Sequence, residues 1–150
     1  HTKDRDGKFD IWGIVNRPYP FDPKKVIADD TLKHPHSIDF DSHANVYVSY
    51  ILGGALSVWN RETKQMSTYK IPTPNSFPYG LKVDKNDNVW IAEFHGSKLA
   101  KFDTKTKQFT EYDPPTQPAL IRRLNIGSDG LTVWSGLFSH SHCKQQALPY

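Results

Sequence analysis

The side chains able to do chemistry in this 150-residue chain are few, and their spacing limits what they can do. His34 and His36 stand two apart in "HPH", and a second group, "SHSHC" at residues 139–143, offers two imidazoles and a thiol. Imidazole is the side-chain type that exchanges a proton near neutral pH and also ligates metals. Two imidazoles two apart on an extended strand leave from one face, a spacing compatible with a metal, although no third ligand stands beside them. The "SHSHC" group lies past the last strand recognisable in the sequence and reads as a chain end rather than a metal site. No G-x-S-x-G nucleophile elbow, phosphate-binding loop or dinucleotide fingerprint is present. What remains is His36 as a single candidate base, with tyrosines, a carboxylate and arginines elsewhere in the chain, and only the elements carrying them can say whether they meet.

Those elements repeat. Slid against itself by 43 residues, the segment 34–75 meets 77–118 without a gap, pairing Pro35 with Pro78, Asp41 with Asp84, Asn45 with Asn88, Leu56 with Leu99 and Tyr69 with Tyr112. A third copy places Leu124 under Leu81 and Ile126 under Val83, gains one residue in "GSDGLTVW", and continues to Trp134. An earlier partial copy is legible in "DRDGKFDIW" and "YPFDPKK". Within each copy the alternation has period two: "YGLKV", then the turn "KNDN", then "VWIAE", "KLAKFD", the charged tip "TKTKQ" and "FTEYD". Each copy therefore predicts a four-stranded antiparallel meander, and the Pro-rich joints "IPTPNSFP" and "DPPTQP" link one small sheet to the next. Four strands in about 43 residues is the arithmetic of a β-propeller blade. The expected fold is all-β, an incomplete propeller of about three to three and a half blades. As one domain over 1–150, its blades run over 1–33 in part, 34–76, 77–118 and 119–150 in part. No helix is expected in residues 34–118, and Tyr47, Trp59, Trp90 and Trp134 are expected in the blade cores.

The repeat relates the chemical groups to one another. Stepping by 43 residues turns His36 into Tyr79 and Tyr79 into Arg122, so successive blades present a histidine, a tyrosine and an arginine at one position. A hairpin returns its second strand to the start of its first, which predicts Tyr50 beside His36 and Glu93 beside Tyr79. Arg122 beside Glu93 would either neutralise it or supply a cation for an enolate or a carboxylate. The competing expectation is a channel-lining His36 that only bonds to backbone.

Composition bounds the partners. Hydrophobic residues at 37% with 23% charged residues predict a folded domain rather than a disordered chain. A net charge of +3, with 19 Lys and Arg scattered among 16 Asp and Glu, argues against nucleic acid, and no apolar run reaches the ~20 residues of a membrane span. The single cysteine, Cys143, excludes an intramolecular disulfide. His1 and "TKDRDGKFD" carry neither an initiating Met nor a signal-peptide core, so the first residue reads as a cut end.

The pattern P-[HY]-x-[IL], V-W-I-A-E, K-L-A-K-F-D and F-T-E-Y, best matched by residues 78–115, resembles the blade repeat of the streptogramin (virginiamycin) B lyase family and, more distantly, NHL-repeat and sugar-lactonase propellers. The resemblance covers residues 30–137. It implies a closed, usually seven-bladed ring of bacterial type and a carbon–oxygen lyase that opens a cyclic depsipeptide at its lactone ester with a divalent metal, commonly Mg2+. It further implies His36, in "PHSI", as general base and Glu93 as metal ligand; the shared repeat position and the hairpin, rather than the family pattern, add Arg122 as a catalytic candidate and Tyr79 and Tyr50 as substrate-binding candidates. The chain departs from that pattern where a second P-H motif belongs, since Tyr79 and then "LIRRL" occupy the next two blades. Two alternatives stand beside the lyase: a non-catalytic platform for a ligand or protein, and a lactonase-like hydrolase holding Ca2+. The expected partners are a small molecule or peptide lactone in the complete propeller, together with missing blades or a second copy. The protein is expected to be soluble, either secreted or periplasmic or cytoplasmic.

Overall fold

In the computed structural model the chain is described over residues 34–138 and 144–148, as eleven strands in three antiparallel sheets. The first sheet holds β1 (Pro35–Phe40), β2 (Val46–Tyr50), β3 (Ala55–Trp59) and β4 (Met66–Lys70) in chain order. The second holds β5 (Pro78–Val83), β6 (Val89–Glu93), β7 (Lys98–Asp103) and β8 (Gln108–Tyr112), again in order. The third comprises β9 (Ile121–Ile126), β10 (Val133–Leu137) and β11 (Lys144–Leu148). No helix occurs among the described residues, and so none there is long and apolar enough to cross a membrane. The partial copy expected before residue 34 lies outside the described residues.

The repeated aspartate explains why each copy turns where it does. Asp41 Oδ1 accepts from the backbone N–H groups of His43 (2.9 Å) and Asn45 (2.8 Å), while Oδ2 accepts from the Tyr47 hydroxyl at 2.8 Å. Asp84 repeats the device with Asn86 N and Asn88 N at 2.9 Å each and Trp90 Nε1 at 2.9 Å. A carboxylate that accepts two turn N–H groups holds the reversal, and Ala44 and Asp87 supply the left-handed residue that the turn needs. One acid therefore closes the hairpin and anchors the aromatic ring of the following strand.

Sheet packs on sheet in sequence order, with β1 against β5 and β5 against β9 as the inner row. Tyr47, Leu56 and Val58 of the first sheet, with Ile71 just after it, bury against Leu81, Ile91, Ala100 and Phe102 of the second. Trp90, Ala92 and Leu99 bury on the far face of that second sheet against Ile121, Leu124, Val133 and Leu137. Alternate residues of one strand thus face opposite neighbours, as period two demands. The inner row is tight at Gly80, where a Cβ would lie 2.9 Å from the Arg122 carbonyl oxygen and 3.1 Å from Arg123 Cα. Both are backbone atoms that cannot swing aside, so Gly80→Ala is expected to destabilise the domain by about 1–3 kcal/mol, read as a lowered Tm with the secondary structure retained.

Two expectations are corrected. Trp134 is 49% exposed rather than buried, because it faces outward from the third sheet where no further sheet of the described residues stands, and Trp59 is only half-buried. The chain also does not end its strands at Trp134: β11 pairs with β10, Val133 opposite Leu148 and Leu137 opposite Lys144. The "SHSHC" group, itself outside the described residues, therefore falls between two strands rather than past the last one.

Candidate functional site

His36, Tyr79 and Arg122 are each the second residue of an inner strand, β1, β5 and β9. The packing of those strands sets them in a row. The His36 and Tyr79 rings lie with centroids 3.9 Å apart, and the Arg122 guanidinium sits over the Tyr79 ring at 4.7 Å while one of its nitrogens donates to the Tyr79 hydroxyl at 2.7 Å. Phe94, which follows β6, carries the other side of the arrangement, with the guanidinium 5.6 Å from its ring centroid. Stacking on two aromatic faces and bonding to a hydroxyl hold a flat cation in one orientation. His36 and Arg122 are exposed and Tyr79 is half-buried, so the row faces solvent.

The His36 ring has a defined tautomer. Its Nδ1 lies 2.7 Å from the Tyr79 carbonyl oxygen, which can only accept, so in the neutral ring the hydrogen is on Nδ1 and the lone pair on Nε2. Ser37 Oγ donates to the same carbonyl at 2.8 Å and fixes that acceptor. The expected backbone bond of a channel-lining histidine is thus present, and it is also the bond that orients a base.

The other two expected site residues are not in the row. A β-bulge between Pro35 and Ile38, repeated between Pro78 and Leu81, adds one residue to each inner strand. Pro35 rather than His36 therefore faces Tyr50, and Pro78 rather than Tyr79 faces Glu93. Tyr50 is buried with Val46 and Val48, and burial raises its hydroxyl pKa, partly offset by a hydrogen bond with Ser57. Glu93 is fully buried and forms no ion pair with Arg122.

Glu93 belongs to a different cluster. Among the described residues no donor reaches either of its oxygens, nor does the buried Ser76 hydroxyl find a partner, and Gly96 leaves just enough room, since a Cβ there would stand 2.6 Å from Glu93 Oε2. Its carboxyl faces Glu111, which accepts from Thr73 N and Thr73 Oγ1, each at 2.9 Å, and from Lys98 Nζ at 3.1 Å. Partial burial opposes the charge on Glu111, but the bonds from Lys98 and Thr73 outweigh it and hold its carboxyl below the usual range. Burial first, and then the negative charge of Glu111, push Glu93 up to about 8. With Glu111 already bound to donors and held ionised, the proton that burial favours resides on Glu93.

This donor set does not fit a divalent cation. No group of three or more His, Cys, Asp or Glu side chains among the described residues could hold a metal ion, and a pair of carboxylates alone leaves most of a divalent cation's oxygen shell unfilled. Neither a Mg2+ nor a Ca2+ site is assembled from them. Sequence reasoning had also passed over Phe94, Ser37 and the Glu111–Lys98–Thr73 group. The last has no counterpart at the equivalent positions of the first blade, where Ala55 and Thr68 stand for Lys98 and Glu111, so the difference between copies was the available signal.

No family model matches the chain, and no curated protein does. Solved structures do. A virginiamycin B lyase from Staphylococcus aureus superposes with a TM-score of 0.66 at 20% identity, over 82% of this chain and 43% of that one. A streptogramin B lyase structure gives 0.67 at 18% identity, over 98% and 46%. A hydrazine synthase from Kuenenia stuttgartiensis gives 0.59 at 14% identity, over 69% and 29%. The chain therefore spans less than half the length of these proteins. At such identities the likeness establishes the fold, an incomplete β-propeller of antiparallel blades, and the sheets are open as expected.

Proposed function

We propose that the row of second residues on the inner strands is part of a small-molecule site at the propeller channel, and that the complete protein is a carbon–oxygen lyase opening a lactone in a cyclic depsipeptide. The observation that carries this reading is the 2.7 Å bond from His36 Nδ1 to the Tyr79 carbonyl, which leaves Nε2 as proton acceptor in a row that also holds the Arg122 guanidinium, both packed on Tyr79. In the proposed reaction Nε2 takes the proton α to the carbonyl of the residue whose side-chain oxygen closes the lactone. The released electron pair forms a carbon–carbon double bond, the β-carbon–oxygen bond breaks, and the ring oxygen leaves as a carboxylate. Arg122 is the group suited to that carboxylate, or to the enolate before it. Tyr79 holds the imidazole against its ring and accepts from Arg122, keeping its own hydroxyl proton to donate to a substrate oxygen. Tyr50 and Glu93 are buried and take no part in this reading, and a cation would need ligands from outside the described residues.

The fixed guanidinium on Tyr79 and Phe94 equally favours a second reading, a platform that binds an anionic ligand without turning it over. Incubating the protein in its native assembly with a streptogramin B lactone separates these. A linear product of unchanged mass with a new double bond supports the lyase, and Arg122→Met is then expected to lower turnover by about a hundredfold. A product heavier by one water identifies the lactonase-like hydrolase instead. An intact lactone whose binding Arg122→Met abolishes leaves the platform.

A further inference from the structure

The bulge in β1 sets two residues, His36 and Ser37, against the single residue Ser49 of β2. Ser49 is wholly buried, and its hydroxyl accepts from the Ser37 N–H at 3.2 Å. The hydrogen of that hydroxyl is directed at the Tyr79 carbonyl oxygen, 3.4 Å away, to which Ser37 Oγ also donates at 2.8 Å. Ser37 Oγ stands 3.1 Å from His36 Nδ1. Nδ1 therefore faces two acceptors, the Tyr79 carbonyl at 2.7 Å and a serine oxygen whose own hydrogen is committed to that carbonyl.

The same bulge recurs in the next two blades, with Gly80 opposite Ala92 and Arg123 opposite Gly136 in place of Ser37 opposite Ser49. Both hydroxyls thus occur in the blade that carries the imidazole and in neither of the two that carry Tyr79 and Arg122. At the second joint a Cβ on Gly80 would stand 2.9 Å from the Arg122 carbonyl oxygen, so there the inner strands close on each other with no room for a hydroxyl between them.

We propose that Ser49, acting through Ser37, is the positioning residue of His36: it holds the bulge that sets Ser37 Oγ and the Tyr79 carbonyl against Nδ1, and so keeps the lone pair on Nε2. A neutral imidazole with its hydrogen on Nε2 has no lone pair there to take a proton. The catalytic consequence rests on the proposed role of His36 as base, whereas the tautomer rests on the hydrogen bonds alone.

Ser49→Ala gives the first blade the residue that the second already carries at Ala92, so the fold is expected to hold. Nitrogen NMR of the imidazole ring separates the tautomers with no substrate present. In mildly alkaline solution, where an imidazole is neutral, wild-type His36 is expected as the Nδ1–H form and the Ser49→Ala protein as a mixture of both. With a streptogramin B lactone as probe, Ser49→Ala should lower kcat about tenfold and leave KM little changed. Should Ser49→Ala not fold, Ser49→Cys, close to serine in shape but a weak hydrogen-bonding group, carries the same measurements. A neutral wild-type His36 with its hydrogen on Nε2 overturns the proposal. So does a Ser49 variant that melts lower yet keeps the wild-type tautomer, which makes Ser49 a structural residue only. A shifted tautomer in a protein whose wild type leaves the lactone intact upholds the positioning role and removes the lyase reading instead.

Discussion

If the proposed lyase reading holds, His36→Ala is expected to lower the rate of lactone opening by about a hundredfold or more while leaving the fold and Tm almost unchanged. The ring is exposed, and its polar contacts are with the carbonyl of Tyr79 and the hydroxyl of Ser37. Ser37 Oγ continues to donate to that carbonyl at 2.8 Å when the imidazole is gone, so no buried acceptor is left unpaired and the stability cost stays small. The kinetic cost is large because no other side chain in the row can accept a proton at neutral pH: Arg122 is permanently charged, and the Tyr79 hydroxyl is already an acceptor for it. The effect should fall on kcat, since a general base acts in the transition state rather than in binding. A variant with wild-type turnover, or one whose loss is confined to KM, sinks the assignment of His36 as base.

Glu93→Gln is expected to stabilise the protein at alkaline pH. The Glu93 carboxyl has an ordinary value of 4.5 and is pushed to about 8 in the folded chain, so between those values the folded state holds a proton that the unfolded state has released. Its contribution is fully present below pH 4.5, is lost progressively as pH rises, and is gone above about 8. Glu111 titrates in the opposite sense, its carboxyl held low, and affects stability only in acid. Each pH unit of the Glu93 interval is worth about 1.4 kcal/mol, so its span from 4.5 to about 8 amounts to about 5 kcal/mol. In a domain of this size that raises Tm by ~10–20 °C in the variant at pH 9 relative to wild type. Gln keeps the shape of the protonated acid and is neutral at every pH, so the two proteins should melt together at pH 4 to 5. Thermal melts across pH check this, and a wild-type Tm that is flat from pH 5 to 9 contradicts it. A Mg2+-dependent rise in wild-type Tm that Glu93→Gln abolishes would instead make Glu93 a metal ligand.

The fold was legible because its signals are local and repeated. Asp41 and Asp84 close their hairpins within a few residues, and period-two alternation marks strands whose two faces both meet neighbours. The offset of 43 residues was enough to place His36, Tyr79 and Arg122 side by side, because stacked copies of one blade put equivalent positions in register. Glu93 was not legible in this way. A bulge of a single residue at Pro78 exchanged the partner of the second strand and left the carboxyl inside the blade, against Glu111 from a strand eighteen residues further on. Nothing in "VWIAE" distinguishes an acid at a channel mouth from one that keeps its proton in a core.

The amino-acid sequence by itself therefore determined the blade, its length, its turn chemistry and the identity of the groups in the row. Only the tertiary structure decided which of those groups face solvent together, which nitrogen of His36 carries the lone pair, and that no described residue buries Trp134. The physical reason is range. Turns and alternation are set by contacts between residues close in sequence, whereas protonation, tautomer and exposure depend on what another strand brings within about 3 Å, and that is known only after the sheets have packed.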